Sequence, residues 1–300
     1  MNLQSDHTAR AVVQRLFIHQ GEGRMRAPWR ILATTAIFIL AAFLLRLLAG
    51  GSFWFPVILS LAVLLSLWFA SVALDRRPFR EFGLALDKPW IRDLAAGIVI
   101  AFLAICLIFS IQMMAGWLTF TGFGWERYDL SSLILPLAAY FLLMAGVSLW
   151  EEAWFRGYLI TNLREGFQWE WLPANIGIFL AVFLSSALFG LLHLGNPGAG
   201  ATSAINIAIA GMVLAYPFVA TGSLAMPIGL HFSWNVAQGA LFGFPVSGIP
   251  YRHSLLTIEV DGPDLMTGGA FGPEAGIAGL YGLLLLLLLA QLYIRRYYGV

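Results

Sequence analysis

Charged residues make up only 11% of this 300-residue sequence, against roughly 25% in a soluble domain, and that scarcity excludes an ordinary water-soluble globule. The net charge of +1 leaves no basic patch that needs a polyanion, and the arginine-bearing segments lie beside apolar runs, where such residues set topology. Nucleic acid is therefore excluded as a partner. Cysteine is almost absent. Cys106 stands alone inside an apolar run, so an internal disulfide cannot form and a cysteine-based metal site is ruled out. Residues 1–30 hold five arginines and no apolar run, which reads as a cytoplasmic tail rather than a cleaved leader. No internal repeat or low-complexity tract divides the chain, so residues 1–300 are read as a single membrane domain.

What the sequence has in abundance is apolar length: it is 60% hydrophobic, with a mean hydropathy of +0.81. Several runs exceed the roughly 18 to 20 residues that cross a hydrocarbon core, and in lipid such runs must be helical because nothing else satisfies their backbone groups. Eight spans are predicted, near 31–49, 53–74, 94–119, 131–150, 174–194, 202–221, 223–243 and 274–294. The fold class is all-α: a polytopic membrane protein of about eight transmembrane helices around a buried polar site. Arg10, Arg15, Arg24, Arg26 and Arg30 precede the first span, and Arg76, Arg77, Arg80, Lys88 and Arg92 follow the second. Arg295 and Arg296 close the chain. The positive-inside rule places these segments and both termini in the cytoplasm, in the cell membrane if the source is bacterial. The Gly- and Pro-rich stretch 244–273 is long for a connection; it reads as merely disordered, with a lid or substrate-contact segment as the alternative. Residues 157–172 read as a helix end or an amphipathic interfacial segment.

Ionisable side chains at membrane depth are costly, and chains that keep them use them for transport, proton movement or chemistry. Glu151 and Glu152 end one apolar run, and His193 and His231 lie in two others. On a helix Glu152 and Arg156 share a face and can pair, whereas Glu151 is rotated by about 100° and escapes that pairing. Phe189 and His193 are also four apart, as are His231 and Asn235. A site that splits water needs a base, a group that holds the base or the water, and donors for the oxyanion; Glu151, His193, His231 and Asn235 can supply all of these. Taken singly, each has a plainer reading: a Glu–Arg pair neutralises charge between helices, a lone His or Asn bonds a neighbouring helix, and Phe189 packs. Asn206 and Gln238 read as interhelical or pore-lining groups, and Arg46 as snorkelling to the interface.

The combination points further. The segments LWEEAWFRGYL (149–159), SSALFGLLHLGNP (185–197) and IGLHFSWN (228–235) resemble, in order, the Glu-Glu-x-x-x-Arg, Phe-x-x-x-His and His-x-x-x-Asn motifs of the CAAX-protease and bacteriocin-processing family of intramembrane proteases. The motif-bearing catalytic core covers residues 130–245. The resemblance implies a membrane-embedded endopeptidase acting on a membrane-associated protein or peptide, with membrane lipid as its surroundings. By motif matching, Glu151 is the base that activates water and His193 assists it. His231 and Asn235 hold the carbonyl and the oxyanion, and Glu152, Arg156 and Phe189 support the site.

Two histidines and a glutamate also match the inventory of a catalytic zinc site, in which case Glu151, His193 and His231 are the ligands. The histidines come from separate helices, however, unlike the HExxH arrangement, and a metal-free site fits the same residues. With regular spans, His193 falls near the outer face while Glu151 and His231 lie in the inner half. The site therefore requires the fourth helix to run past Glu151 towards Leu163 and the fifth to tilt or end near 195–197, around a water-filled cavity expected to open to the cytoplasm. Two other classes suit buried ionisable groups: an ion- or proton-coupled transporter and a non-catalytic membrane scaffold.

Overall fold

The computed structural model describes residues 17–19, 21–49 and 54–300; Arg10 and Arg15 lie outside them. Seven helices among these residues are long and apolar enough to cross a membrane, and the protein is an integral membrane protein. They are α1 Ala27–Ala49, α2 Phe55–Leu74, α3 Lys88–Met114, α4 Ser131–Gly166, α5 Ala174–Gly195, α6 Ala201–Thr221 and α8 Ile277–Tyr298. The eighth expected span is a shorter helix, α7, Ala225–Val236, continued by a π-helical turn over Ala237–Leu241. Nearly every side chain of α7 is buried, so it runs through the centre of the bundle while the longer helices face lipid.

Local sequence explains the helix starts. Pro56 occupies the first turn of α2, where a missing N–H costs nothing. The Asp87 carboxylate accepts from the Trp90 N–H at 2.9 Å to cap α3, and Asp129 accepts from Ser132 N–H at 2.7 Å to cap α4. Where α3 and α7 cross, glycine permits backbone contact: a Cβ on Gly229 would lie 2.3 Å from the Leu94 carbonyl oxygen, and one on Gly97 would lie 2.6 Å from that of Met226. Small residues at such crossings let membrane helices approach closely.

Two spans differ from expectation in their bounds. The third span covers 88–114 in place of 94–119, because the chain leaves the helix at Ala115 and forms strand β3, Leu118–Phe123, which pairs antiparallel with β4, Leu256–Val260. A smaller ribbon, β1 Ile18–His19 with β2 Arg24–Met25, precedes α1. The fourth span does not stop at 150. It continues to Gly166 as the extension past Glu151 requires, and residues 157–166 belong to this one helix rather than to a separate interfacial segment. Its 36 residues are about 54 Å long at 1.5 Å per residue, far more than the hydrocarbon thickness. Apart from the spans, the stretch 244–273 is ordered, against the expectation of disorder: it contains β4 and two helical turns and packs onto the bundle.

The helix ends near the termini are tied by charge. Arg30, buried in α1, reaches Asp75 at 3.1 Å and Glu165 at 2.6 Å; Arg24 lies 3.3 Å from Glu165, and Arg77 also bonds Glu165. Burial pushes the Asp75 carboxyl above the usual aspartate range even with Arg30 and Arg77 beside it. At the same face the Tyr293 hydroxyl donates to Asp93 at 2.7 Å, and Tyr298 bonds the same carboxylate. Arg24, Arg30, Arg77 and Arg92 therefore serve as helix clamps in addition to any topological role.

Candidate active site

The site lies between two apolar clusters. Phe155 and Phe189 come from the one built on α1, α2, α4 and α5, and Leu230, Trp234 and Leu283 from the one built on α3, α7 and α8. Between them is a cavity of about 530 Å³ whose lining includes Glu151, Phe189, His193, His231 and Asn235. Four side chains expected to act on one water molecule thus line one cavity, although they belong to three helices.

Two irregularities bring them together. Immediately after Glu151, α4 becomes π-helical over Glu152–Ile160, and all nine of these residues are buried. A π stretch widens the helix and re-aims side chains, and it recurs at functional sites. The second irregularity is the end of α5, where regular helix stops at Leu192 and His193 opens a 3₁₀ turn. His193 is therefore held at the end of α5, where it lines the same cavity as Glu151 and His231, so the three are not separated in depth.

The hydrogen bonds assign each group a place. Glu152 Oε1 accepts from Arg156 at 2.9 Å and from His231 Nδ1 at 2.8 Å. A carboxylate accepts, so Nδ1 of His231 carries the proton, and its Nε2 faces Glu151 Oε2 at 3.7 Å. His193 Nδ1 is 2.8 Å from the Phe189 carbonyl oxygen; a carbonyl only accepts, so this nitrogen donates and Nε2 holds the lone pair in the neutral ring. Arg156 also donates to the Gly211 carbonyl at 3.4 Å and lies over the Phe189 ring at 4.5 Å. Phe189 is more than filler: its ring meets His193 edge-on at 4.7 Å and His231 at 6.3 Å. Asn235, one turn beyond His231, is buried against the cavity.

The zinc alternative does not fit this arrangement. Among the described residues no three His, Cys, Asp or Glu side chains are gathered closely enough to hold a metal ion, and the Phe189 ring lies against both imidazoles. The lining shows which face of the bundle the cavity approaches. No residue of 75–87, 167–173 or 222–224, the connections on the side of the termini, lines it, whereas Pro56, Asn196, Val246, Ser247, Ile249, Pro250, Tyr251 and Glu274 do. The cavity therefore lies towards the face opposite the termini, because the packed 244–276 segment forms one of its walls.

Glu274, Ser247 and Asn196 went unnoticed in the sequence. Glu274 looks like an ordinary loop charge just before the last span, and no motif distinguishes it. Asn206, which lines the cavity and donates to the Gly276 carbonyl at 3.4 Å, and Gln238, which donates to that of Pro245 at 2.6 Å, anchor this same segment.

Fold and site together define a multi-pass helical membrane protein with a Glu–His–His–Asn pocket. Residues 133–237 match the family described as type II CAAX prenyl endopeptidase Rce1-like. The chain is also 27% identical over 172 residues to the uncharacterized protein YyaK of Bacillus subtilis, covering 56% of this chain and 54% of YyaK. The chain thus spans about half the length of that relative. No solved structure matches it.

Proposed function

We propose that this protein is an intramembrane endopeptidase that hydrolyses a peptide bond in a membrane-associated protein or peptide, with both termini in the cytoplasm. The observation that carries this reading is the pairing at His231: one ring nitrogen held by Glu152, the other turned to Glu151 inside a cavity that His193 and Asn235 also line. Water placed between Glu151 and His193 Nε2 gives up a proton to the Glu151 carboxylate as it attacks the scissile carbonyl. The oxyanion is met by the Asn235 amide and by His231 Nε2–H. That donor requires the cationic ring, whose charge Glu151 and Glu152 offset. Glu151 then passes its proton to the departing amine.

No step in this scheme needs a group other than the chain's own side chains and water. The test is turnover of a membrane-tethered peptide by purified protein: Glu151→Gln is expected to abolish cleavage in a protein that still folds, and an unchanged rate would remove Glu151 from this role. The match of residues 133–237 to the protease family, and a cavity that no connection on the termini side lines, favour hydrolysis over a transport path or a scaffold.

A further inference from the structure

The cavity has a second polar end. Glu274, in the turn before α8, lines it on the loop side, and its carboxylate is fixed by Ser247. The Ser247 N–H donates at 2.5 Å, and the hydroxyl lies 3.2 and 3.3 Å from the two carboxylate oxygens. Ser247 takes a left-handed φ of +48° to make these bonds, a conformation a serine adopts at a cost. The next residue, Gly248, has φ +81° and donates to the Phe271 carbonyl at 2.8 Å. A Cβ there would stand 1.9 Å from the Pro197 carbonyl oxygen, so the loop is wedged in place and Glu274 is aimed, not adrift.

Charge decides what such a cavity accepts. Its lining holds two carboxylates, Glu151 and Glu274, and no arginine or lysine; apolar side chains such as Leu143, Met144, Ile207 and Leu283 make up most of the wall. Arg156 does not line it and is engaged by Glu152 and the Gly211 carbonyl. Apart from His231, whose ring charge Glu151 and Glu152 already offset, an anion entering this space meets no cationic side chain, and burial of an unpaired carboxylate is strongly disfavoured.

We propose that Glu274 is a specificity-determining residue that receives a cationic group of the substrate, a lysine or arginine side chain or an ammonium, and that the cavity therefore takes internal cationic segments and rejects a free C-terminal carboxylate. This rests on the protease reading for the identity of the ligand as a peptide. Burial pushes the Glu274 carboxyl above the usual glutamate range, and a cation beside it would offset that burial. An incoming ammonium or guanidinium forms a charge-assisted bond with the carboxylate.

The experiment measures binding, so it stands apart from turnover. Full-length Glu151→Gln protein in nanodiscs is titrated with three fluorescent, acetylated and amidated apolar nonapeptides that differ only in a central Lys, Gln or Glu. A fourth carries the Gln centre and ends in a free carboxylate three residues later. The Lys peptide is expected to bind about tenfold or more tighter than the Glu peptide, which is about 1.4 kcal/mol or more, and the free carboxylate is expected to weaken binding. Adding Glu274→Gln is expected to bring the Lys/Glu ratio close to one, and adding Glu274→Asp to retain it. Equal binding of the Lys and Glu peptides, a ratio that survives Glu274→Gln, or tighter binding of the free acid each overturns the proposal. If Glu274→Gln fails to fold, the ratio in the Glu151→Gln protein alone decides. Wild-type protein that binds the peptides with the expected preference and cuts none of them would refute the protease reading and leave the cation site standing.

Discussion

Glu152, and not Glu151, holds Nδ1 of His231, at 2.8 Å. The first glutamate of the adjacent pair is thereby left facing the other ring nitrogen, so two neighbours in sequence have separate tasks: Glu152 fixes the ring and Glu151 faces the reacting space. Glu152 also accepts from Arg156 at 2.9 Å, and all three groups are buried. Glu152→Gln is expected to lower turnover about 10- to 100-fold, as loss of an orienting partner does. It should also destabilise the fold by about 3 to 5 kcal/mol, because Arg156 loses its counter-charge. The double change Glu152→Gln with Arg156→Met should recover much of the stability and none of the turnover. A double-mutant cycle on thermal unfolding and kcat checks both, and recovery of activity along with stability would show that the pair acts only as scaffolding.

Glu151 presents the opposite balance. Its Oε2 atom is buried, lacks a hydrogen bond within the protein and lies 3.7 Å from His231 Nε2, an arrangement that serves a water molecule or substrate better than it serves folding. Glu151→Gln removes the carboxylate without changing shape. It should cost at least about 10²-fold in turnover, the scale of a general base, while the melting temperature holds or rises, since a buried group without its partners is costly. A large fall in melting temperature would mark Glu151 as structural.

The ion cluster at the termini side makes a separable prediction. Asp75→Asn leaves Arg30 and Arg77 to share Glu165, and stripping one partner from a buried network costs about 3 to 5 kcal/mol. These residues do not line the cavity, so specific activity of the folded fraction should be retained. Loss of specific activity in fully folded protein would connect this cluster to the site.

Spans and motif residues were legible because each follows from local pattern. Apolar length fixes a helix in lipid, and spacing of four put Glu152 beside Arg156 and Phe189 beside His193. The convergence of three helices on one cavity was legible only as a condition, that α4 run on past Glu151 and α5 end early, since a π stretch leaves no periodic signature in nine buried residues. Glu274 was illegible for another reason. Its meaning comes from Ser247, 27 residues away, and from the wedge of Gly248 between Pro197 and Phe271. No spacing rule links residues brought together by tertiary packing alone.

Donor geometry at the histidines bears on metal dependence. Glu151 faces only His231 among the imidazoles within 4 Å, and among the described residues no three His, Cys, Asp or Glu side chains are gathered closely enough to hold a metal ion. Turnover is accordingly expected to survive exhaustive chelation followed by metal-free buffer, with elemental analysis of the same sample. Loss of activity restored stoichiometrically by one divalent ion would show that Glu151, His193 and His231 rearrange around a metal, and the water-only scheme would have to be replaced.

Glu274 couples pH to the wall of the cavity. Its carboxyl is raised by burial, with the Ser247 N–H and hydroxyl, the Gln238 amide and His193 facing it and opposing that rise. For a group whose folded value lies above its unfolded one, the folded state binds more protons between the two values, so the stabilisation is complete below the ordinary glutamate range and is lost as pH rises through the folded value. Hydrogen exchange at Val246–Gly248, compared at each pH with Glu274→Gln, isolates this residue from the intrinsic pH dependence of exchange. Protection in the wild type relative to the variant should decline as pH rises above the ordinary glutamate range. With the Lys peptide bound the decline should vanish, because the ligand's cation then holds the ionised carboxylate in place; a constant ratio in the empty protein would show that Glu274 keeps one charge state throughout.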